Sequence, residues 1–261
     1  MASSTLTVTN TSAKPRVLSP RNHKHDRASI PACLPSQRRG DAVYFACKRY
    51  LDVTLASILL LILLPMFLLI ALLIKLDSPG PVFFTQERVG AKRRSLGAKT
   101  IWVIRNFTMY KFRSMVAGAD SSLHEAYIRD FVEGRAPSVL APEGKFKLTN
   151  DPRITRFGRF LRQFSLDELP QLLNVLKGDM SLVGPRPVPP YEVACYRNDD
   201  RRRLAALPGI TGLWQVHGRC LVSFEEMVRM DIDYIRSASL LLDLKILFLT
   251  IPAVLSKRGA E

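Results

Sequence analysis

The amino-acid sequence predicts an α+β protein that is mostly helical, with a membrane-inserted N-terminal helix, amphipathic interface helices and a small β element. Residues 53–74 contain no charged side chain, which is typical of a helix in a bilayer. Residues 169–176 place four leucines at i, i+3, i+4 and i+7, the spacing of a helix with one buried face. Residues 101–112 are rich in β-branched and aromatic side chains, which favour a strand or hairpin arm.

The composition limits the function classes. The chain has 261 residues, 47% of them hydrophobic, and a formal net charge of +15. Such a basic balance indicates a polyanionic partner: nucleic acid, an anionic membrane surface or a phosphorylated substrate. The four cysteines are scattered without a CxxC pair, so the sequence predicts neither a disulfide framework nor a zinc site.

Residues 1–41 are predicted to be a disordered tail. They are rich in Ser, Thr, Pro, Arg and Asn and show little apolar periodicity. No apolar stretch follows the first basic residues, so the tail does not have the pattern of a signal peptide.

Residues 42–81 are predicted to form the membrane-inserted segment. A run of about 20 apolar residues matches a hydrocarbon core of about 30 Å. Lys48 and Arg49 precede the uncharged run and Lys75 follows it, so both ends are basic and the positive-inside rule gives no orientation. Pro65 bends a helix near its middle. A single kinked span and a helix that dips into the bilayer and returns are both compatible with these residues.

Short elements and basic side chains follow the membrane segment. Residues 77–81 form a turn cluster that ends the helix, and residues 82–84 and 101–112 predict strands. Alternating basic and aromatic residues at 110–115 suit either nucleic acid or a membrane interface. Because a membrane segment lies next to them, we favour the interface or a phosphate ligand over nucleic acid.

Residues 151–162 carry an arginine at every third position from 153 onward, beside an apolar stripe. On a helix this arrangement offers guanidinium groups to phosphates while the apolar face lies on a membrane. An ordinary surface helix with a solvated arginine face is the alternative. Residues 121–133 predict an exposed helix, and residues 136–147, which contain two prolines, predict a loop.

Asp167 and Glu168 are the candidate chemical residues. Ser165 together with Glu168 fits a capping box, whereas capping by Asp167 puts Pro170 safely in the first turn. Either start places both carboxylates at a helix N-terminus, where free N–H groups favour an ionised carboxylate and bind phosphate. Acidic residues at a helix start are commonly only caps. Gly178 is predicted to end the helix.

The residues after this helix favour a chemical role over simple capping. Arg186 lies between two prolines, and a guanidinium held in a stiff frame suits bidentate phosphate binding. Carboxylates beside arginines suit a Mg²⁺–diphosphate, because magnesium takes hard oxygen ligands and shares them with substrate phosphates. An aspartate can also attack phosphorus and carry an acyl phosphate.

The C-terminal part predicts two helices, at residues 224–235 and 240–255, after a turn at 208–212. Trp214 either stacks on a base or fills the core. The last helix is strongly apolar but is interrupted by charged residues and a proline. It is therefore a poor membrane span, and it either lies in the membrane interface or packs in the interior.

Several motifs, in order along the chain, resemble the bacterial sugar transferase family, the monotopic polyprenyl-phosphate phosphoglycosyl transferases. Behind the hydrophobic segment they read DSPGPVFFTQERVG, YKFRSM, LRQFSLDELPQLLNVLKGDMSLVGPRP and LPGITGLWQVHGR. The resemblance runs from about Lys48 to the C-terminus. It implies transfer of a phospho-sugar from a UDP-sugar to polyprenyl (undecaprenyl) phosphate with release of UMP, as the first membrane step of surface polysaccharide or glycoconjugate synthesis.

The resemblance also implies the site. Asp167 is expected to attack the sugar-linked β-phosphate and form a covalent phospho-sugar intermediate. Glu168 is expected to place Mg²⁺ or handle protons, and both carboxylates are predicted metal ligands. The expected phosphate and nucleotide contacts are Lys111, Arg113, Arg162, Arg186 and Arg219. The residues expected at the lipid phosphate and membrane interface are Lys48 and Arg49.

The resemblance further implies a re-entrant helix, broken near a Ser-Pro pair, and a catalytic domain at 82–261 on the cytosolic face of the bacterial inner membrane. Here the pair is Leu64-Pro65, and residues 91–103 are longer than the usual turn. The implied partners are a UDP-sugar, polyprenyl phosphate and the phospholipid bilayer, with no nucleic acid and with a homo-oligomer left open. The alternative, a membrane-anchored basic protein that only binds lipid or nucleic acid, gives no reason for an Asp-Glu pair followed by GPRP.

Overall fold

The computed structural model describes residues 33–35, 42–96, 99–120, 122–133, 151–217 and 222–256. The predicted disordered tail lies outside the described residues except for the short strand β1 (Cys33–Pro35), and so does the predicted loop at 136–147. The described part is mostly helical with small sheets, which confirms the predicted fold class at that level.

The described helices range from four to 36 residues and the strands from three to 14 residues. The helices are α1 (Ala42–Asp77), α2 (Ser122–Val132), α3 (Arg156–Gln163), α4 (Gln171–Lys177), α5 (Pro190–Val193), α6 (Leu213–His217), α7 (Phe224–Ser237) and α8 (Leu240–Leu255). The remaining strands are β2 (Phe83–Leu96), β3 (Lys99–Phe112), β4 (Ser181–Val183) and β5 (Gly209–Thr211). Short 3₁₀ turns occur at Leu166–Glu168 and Asp200–Leu204.

Helix α1 is the one helix among the described residues that is long and apolar enough to cross a membrane. It has 36 residues and continues through Pro65, although a proline removes one helix hydrogen bond. Side chains in its middle face outward: Leu61 is 75% exposed and Leu68 is 66% exposed. Because exposing such a surface to water is unfavourable, this part of α1 is suited to a bilayer.

A buried polar group, the anchor cluster, fastens the start of α1 to the C-terminal helices. It consists of Tyr44, Lys48, Tyr234 and Asp243. One carboxylate oxygen of Asp243 accepts from the Tyr44 hydroxyl at 3.0 Å and from the Lys48 ammonium at 2.9 Å. The other oxygen accepts from the Tyr234 hydroxyl at 2.7 Å. Since removing charges from water is costly, burial of this ion pair depends on such complete hydrogen bonding.

The end of α1 packs on the same globular part of the protein. The Arg113 guanidinium, just after β3, donates to the carbonyl oxygens of Ser78 and Pro79 at 2.6 and 2.7 Å. The Asp77 carboxylate accepts from the backbone N–H of Phe157 in α3 at 3.3 Å. The two ends of α1 are therefore held by one domain, while the middle is left bare.

Strands β2 and β3 form an antiparallel hairpin of 14 residues in each strand, and β1 pairs with the free edge of β3. The sequence predicted only a short strand at 82–84 before the one at 101–112. The basic residues that continue β2 hid its length, since they interrupt the apolar alternation. Opposed residues share a face of a hairpin, so the register places Gln86, Arg88 and Lys111 on one face.

Helix α3 begins at Arg156, so the prediction of one helix over 151–162 is wrong for its first part. Thr155 is the N-cap, and its hydroxyl accepts from the N–H three residues on at 3.0 Å. Asp151 and Arg153 lie before the helix and pair with each other at 2.6 and 2.8 Å. The arginines of this stretch therefore do not form one continuous helical stripe.

The helix predicted at the dyad starts later than either capping scheme requires. Ser165 has φ of 56°, in the left-handed region, and its side chain makes no capping hydrogen bond. Asp167 and Glu168 lie in a 3₁₀ turn, and α4 begins only at Gln171, behind Pro170. The left-handed backbone at Ser165 leads into this 3₁₀ turn, and neither Ser165 nor Asp167 caps α4. The prediction that both carboxylates lie at the helix N-terminus is therefore wrong.

The C-terminal half supports the site with a parallel pairing of β4 and β5 and with helices α7 and α8. Trp214 is buried, so it fills the core and is not a platform for a base. Helix α8 has the predicted bounds, and Asp243 and Ile246 are buried on its inner face. On its outer face Leu241 is 78% exposed and Phe248 is 71% exposed. The placement of this face in a membrane interface stays a prediction.

Candidate active site

Glu168 lies between two cations. Its Oε1 atom accepts from Nζ of Lys111 at 2.9 Å and from Nη2 of Arg186 at 3.0 Å. Burial by itself raises the pKa of this carboxyl, but the charges of Arg186 and Lys111 and their hydrogen bonds outweigh burial. The pKa of Glu168 is therefore well below its ordinary value, and its carboxylate is a permanent anion that holds both cations in place.

Asp167, the neighbouring residue, is not held in this way. It is 8% exposed, and no hydrogen bond or ion pair to its carboxylate occurs within the described part of the chain. Burial lowers the pKa of the Lys111 ammonium, and the charges of Glu168 and Asp167 act against this effect, so Asp167 lies within electrostatic reach of Lys111. A nearly buried carboxylate without a donor is available as a ligand or a nucleophile.

Strand β3 and helix α4 bring Lys111 and Glu168 together. The buried Asn174 side chain binds the backbone of β3 twice, donating to a carbonyl at 2.7 Å and accepting from an N–H at 3.0 Å. These two bonds fix α4 and the preceding 3₁₀ turn against the strand. Gly178 ends α4 with φ of 77°, as predicted, because a glycine tolerates this conformation without strain.

Strand β5 supports the segment that carries Arg186. The N–H of Gly184 donates to the Thr211 carbonyl at 2.9 Å, and the N–H of Gly209 donates to the Pro185 carbonyl at 2.8 Å. A Cβ on Gly209 would lie only 2.1 Å from the Gly184 nitrogen, so the two backbones meet because neither residue has a side chain. The proline-flanked arginine therefore extends from a rigid frame.

Arg88 joins this group, although the sequence analysis did not single it out. Its Nη1 atom donates to the Pro187 carbonyl at 3.1 Å, and Nη2 donates to Oε1 of Gln86 at 2.6 Å. Burial and the charge of Arg186 lower the pKa of Arg88 to about 10. The hairpin register, together with alternation along a strand through QERVG, places Arg88 on the face that carries Lys111.

His124 of α2 and Tyr191 of α5 line the outer side of the site, and the sequence analysis missed both. Their rings meet edge to face with centroids 6.2 Å apart. Burial, followed by the charges of Arg88, Arg153 and Arg162, lowers the pKa of His124 to about 4. Burial raises the pKa of Tyr191 to about 12. Both rings are therefore neutral near pH 7, and Arg162 adds positive charge on this side.

The other predicted site cations do not join the group. Arg113 binds the carbonyl oxygens at the end of α1, and Lys48 belongs to the anchor cluster. The Arg49 guanidinium donates to two carbonyl oxygens at the C-terminal end of α4, at 2.5 and 2.8 Å. Helix ends offer unpaired carbonyl oxygens, and both arginines bind such oxygens; the contacts of these residues with phosphate or lipid stay predictions. Arg219 lies outside the described residues.

The dyad fits magnesium only together with a ligand that brings more oxygens. No group of three or more His, Cys, Asp or Glu side chains that could hold a metal occurs in the ranges that the structure describes. Both oxygens of Asp167 and the Oε2 atom of Glu168 have no hydrogen bond within those ranges. Magnesium is commonly held by one or two carboxylates plus substrate phosphates, and this pair is compatible with that pattern.

Known proteins with similar sequences support the resemblance. A family model described as bacterial sugar transferase matches residues 43–257. The exopolysaccharide production protein ExoY of Rhizobium meliloti is 42% identical over 216 residues, which cover 82% of this chain and 87% of that protein. The galactosyl transferase CpsE of Streptococcus agalactiae is 41% identical, over 84% of this chain and 44% of its own length. The undecaprenyl-phosphate galactose phosphotransferase of Salmonella typhimurium is 42% identical, over 82% and 41% respectively. The chain thus spans most of ExoY and less than half of the other two.

Proposed function

Since the chain belongs to the bacterial sugar transferase family, we propose that it is a phosphoglycosyl transferase that moves a phospho-sugar from a UDP-sugar to polyprenyl phosphate and releases UMP. One observation carries the proposal. The Asp167 carboxylate has no hydrogen-bond partner among the described residues, whereas the Glu168 carboxylate is bound by Lys111 and Arg186. Relatives named as undecaprenyl-phosphate galactose and glucose phosphotransferases support the substrate class. ExoY, named for exopolysaccharide production, supports the process that the product enters.

Asp167 is the proposed nucleophile. One of its carboxylate oxygens attacks the sugar-linked β-phosphorus, the bond from this phosphorus to the bridging oxygen breaks, and UMP leaves with that oxygen. An oxygen of polyprenyl phosphate then attacks the same phosphorus. The bond to Asp167 breaks, the carboxylate is restored, and the lipid carries a diphosphate-linked sugar. The two displacements form and break one phosphorus–oxygen bond each.

Lys111 and Arg186 stabilise the charge that shifts between the phosphates. They already converge on one carboxylate oxygen of Glu168, at 2.9 and 3.0 Å, which is the separation at which they would bind a phosphate oxygen. Donors that are oriented before the substrate arrives need little reorganisation in the transition state. Glu168 therefore holds Lys111 and Arg186 close together and orients both cations toward the reacting phosphate.

Magnesium fits as the cofactor of this step. Held by Asp167 and Glu168 together with diphosphate oxygens, it would supply Lewis-acid stabilisation of the leaving phosphate. The free oxygens of the dyad support this assignment, because a carboxylate already saturated by donors is a poorer metal ligand.

We further propose that α1 is re-entrant and that the site faces the cytosol at the bacterial inner membrane. Contacts at both ends of α1 support re-entry, since a straight span would carry one end across the bilayer, away from the residues that bind it. The bare middle of the helix supports its insertion. A UDP-sugar is charged and does not cross a bilayer, which favours the cytosolic side.

UMP release tests the proposed function. Purified full chain in lipid nanodiscs is incubated with a panel of UDP-sugars, polyprenyl phosphate and Mg²⁺, and UMP is quantified. We expect release by the wild type and none by Asp167→Asn. Asp179→Asn is the matched control, because it removes the same charge from a pair with Arg105 outside the site and should stay active. A wild type that releases no UMP with any sugar, or an active Asp167→Asn, would contradict the proposal.

A further inference from the structure

Arg88 has a donor that nothing in the described structure satisfies. Its Nη atoms donate to the Gln86 side chain and to the Pro187 carbonyl, whereas Nε is buried and has no hydrogen-bond partner among the described residues. A buried N–H of a charged group that lacks an acceptor is costly, so it needs an explanation. An oxygen of a bound anion would satisfy it.

The position of Arg88 ties it to both cations that bind Glu168. The hairpin register places Arg88 on the face of Lys111. Its Nη1 atom binds the carbonyl of the residue directly after Arg186, and the N–H of Val89 donates to the Val188 carbonyl at 2.8 Å. Strand β2 and the proline-rich segment are therefore fastened together next to Arg88.

The site concentrates positive charge. Arg88, Lys111 and Arg186 repel one another, while the charges of Asp167, Glu168 and Glu192 act against this repulsion. Burial and mutual repulsion lower the pKa of Arg88 to about 10 and also lower the pKa of Lys111. An anion bound beside these cations would reduce their mutual repulsion.

Glu192 does not satisfy the free donor of Arg88, although its charge acts to raise the pKa of Arg88. It is a buried carboxylate near Arg88, but it accepts a hydrogen bond from the Tyr196 hydroxyl at 2.5 Å and lies 3.7 Å from Arg203. It therefore belongs to a separate buried network. The unsatisfied donor of Arg88 is left for a molecule from solution.

From this geometry we propose that Arg88 binds the sugar-linked phosphate of the nucleotide substrate, beside Lys111 and Arg186. The proposal rests on the function proposed above and adds a binding residue to it. Gln86 and Pro187 already fix the guanidinium, so its binding loses little side-chain freedom. UMP lacks this phosphate, so Arg88 would distinguish the substrate from the leaving product and favour product release.

A purely structural role makes a different prediction. If Arg88 only fastens the proline-rich segment through Pro187, its loss would displace Arg186 and weaken every nucleotide alike. If Arg88 binds the outer phosphate, its loss would weaken a nucleoside diphosphate and spare the monophosphate. The ratio of UDP affinity to UMP affinity therefore separates the two roles.

The experiment measures equilibrium binding of UDP and of UMP, with Mg²⁺, to the detergent-solubilised full chain and to Arg88→Gln. We expect UDP binding to weaken by roughly 10- to 100-fold and UMP binding by less than about threefold. Arg105→Gln is the control, because it removes an arginine of the same hairpin that pairs with Asp179 away from the site. It should change neither affinity.

Arg88→Lys decides the matter if Arg88→Gln does not fold. The lysine keeps the charge but lacks Nε and the planar fork, so we expect a folded protein with UDP binding weakened by roughly tenfold and UMP binding by less than about threefold. Unchanged UDP affinity, or an equal loss of UDP and UMP affinity, would overturn the role of Arg88 while leaving the proposed function intact. If the wild type binds neither nucleotide, the result contradicts the proposed function and therefore also the role of Arg88.

Discussion

The anchor cluster and the candidate active site are two buried groups of charged side chains that differ in how many of their polar atoms are hydrogen-bonded. In the anchor cluster both oxygens of Asp243 are bound, by a lysine and two tyrosines, at 2.7 to 3.0 Å. In the active site one oxygen of Glu168 takes two cations, Asp167 takes none, and Nε of Arg88 has no partner among the described residues. Acidic and basic side chains are therefore fully hydrogen-bonded in the anchor cluster and only partly hydrogen-bonded in the active site.

This difference separates a stabilising cluster from a binding one. A buried charge that is fully paired has nothing left to offer a ligand, and breaking the pair leaves an uncompensated charge in the interior. An unpaired carboxylate or donor gains a partner only when a substrate or metal arrives. Mutations in the two clusters should therefore separate stability from turnover.

Asp167→Asn is expected to have the largest effect, and on turnover alone. Loss of a nucleophile lowers the rate by about 10³-fold or more. Because no described residue binds this carboxylate, the unfolding midpoint should stay at the wild-type value. Steady-state UMP release and thermal unfolding, measured on the same preparation, check both halves. A large fall in the unfolding midpoint would show that the carboxylate has a structural partner.

Asp243→Ala is expected to lower folding stability and to leave turnover nearly unchanged. It leaves Lys48 buried and unpaired, which costs about 3–5 kcal/mol of folding free energy. Turnover per folded molecule should change little. Denaturant unfolding in detergent measures the loss. The double variant Lys48→Met with Asp243→Leu should recover part of it, because it removes both charges but leaves the Tyr44 and Tyr234 hydroxyls without this carboxylate. A single variant as stable as the wild type would contradict the role of the cluster.

Glu168→Gln is expected to lower kcat/KM by about 10²-fold, because Lys111 and Arg186 lose the anion that orients them. Folding stability should change less than in Asp243→Ala, since the glutamine still accepts hydrogen bonds and the site is partly open. Glu225→Gln, at an exposed carboxylate on α7, is the control for loss of one charge. Wild-type kcat/KM in Glu168→Gln would show that the cations keep their positions without it.

His124→Gln is expected to have the smallest effect, on the pH dependence of stability. The pKa of His124 is lowered to about 4 in the folded protein, against about 6.5 when unfolded. As the pH falls from 6.5 the unfolded chain takes up this proton first, so stability is full above pH 6.5 and declines toward pH 4. His124→Gln should flatten that decline, whereas His217→Gln, at an exposed histidine, should not. Equal slopes in wild type and His124→Gln would contradict the shift.

The long helices of the fold were predictable from the sequence. The membrane helix, α7 and α8 follow from apolar runs and spacing, and their observed bounds agree closely with the predicted ones; α2 also has nearly the predicted bounds, but its Tyr127 and Ile128 are buried where an exposed helix was expected. The start of α4 was not predictable from capping patterns. Two residues competed as caps, and the left-handed Ser165 before a 3₁₀ turn depends on how α3 and α4 pack.

The centre of the site was predictable, but its edges were not. Lys111, Glu168 and Arg186 carry residue types that suit phosphate chemistry, and the fold brings them together. Arg113 looked equivalent to Lys111, yet it lies just beyond the end of β3, where its guanidinium binds carbonyl oxygens at the end of α1. Arg88 needed the hairpin register, which the short strand predicted at 82–84 did not provide.

The covalent adduct on Asp167 is the most direct test of the proposed chemistry. Full chain is incubated with a UDP-sugar and Mg²⁺ but without polyprenyl phosphate, and the intact protein mass is recorded. We predict a mass increase of one phospho-sugar in the wild type, its loss on adding polyprenyl phosphate, and no increase in Asp167→Asn. An adduct that persists in Asp167→Asn, or UMP release by a wild type that never carries an adduct, would contradict the assignment of Asp167 as the nucleophile.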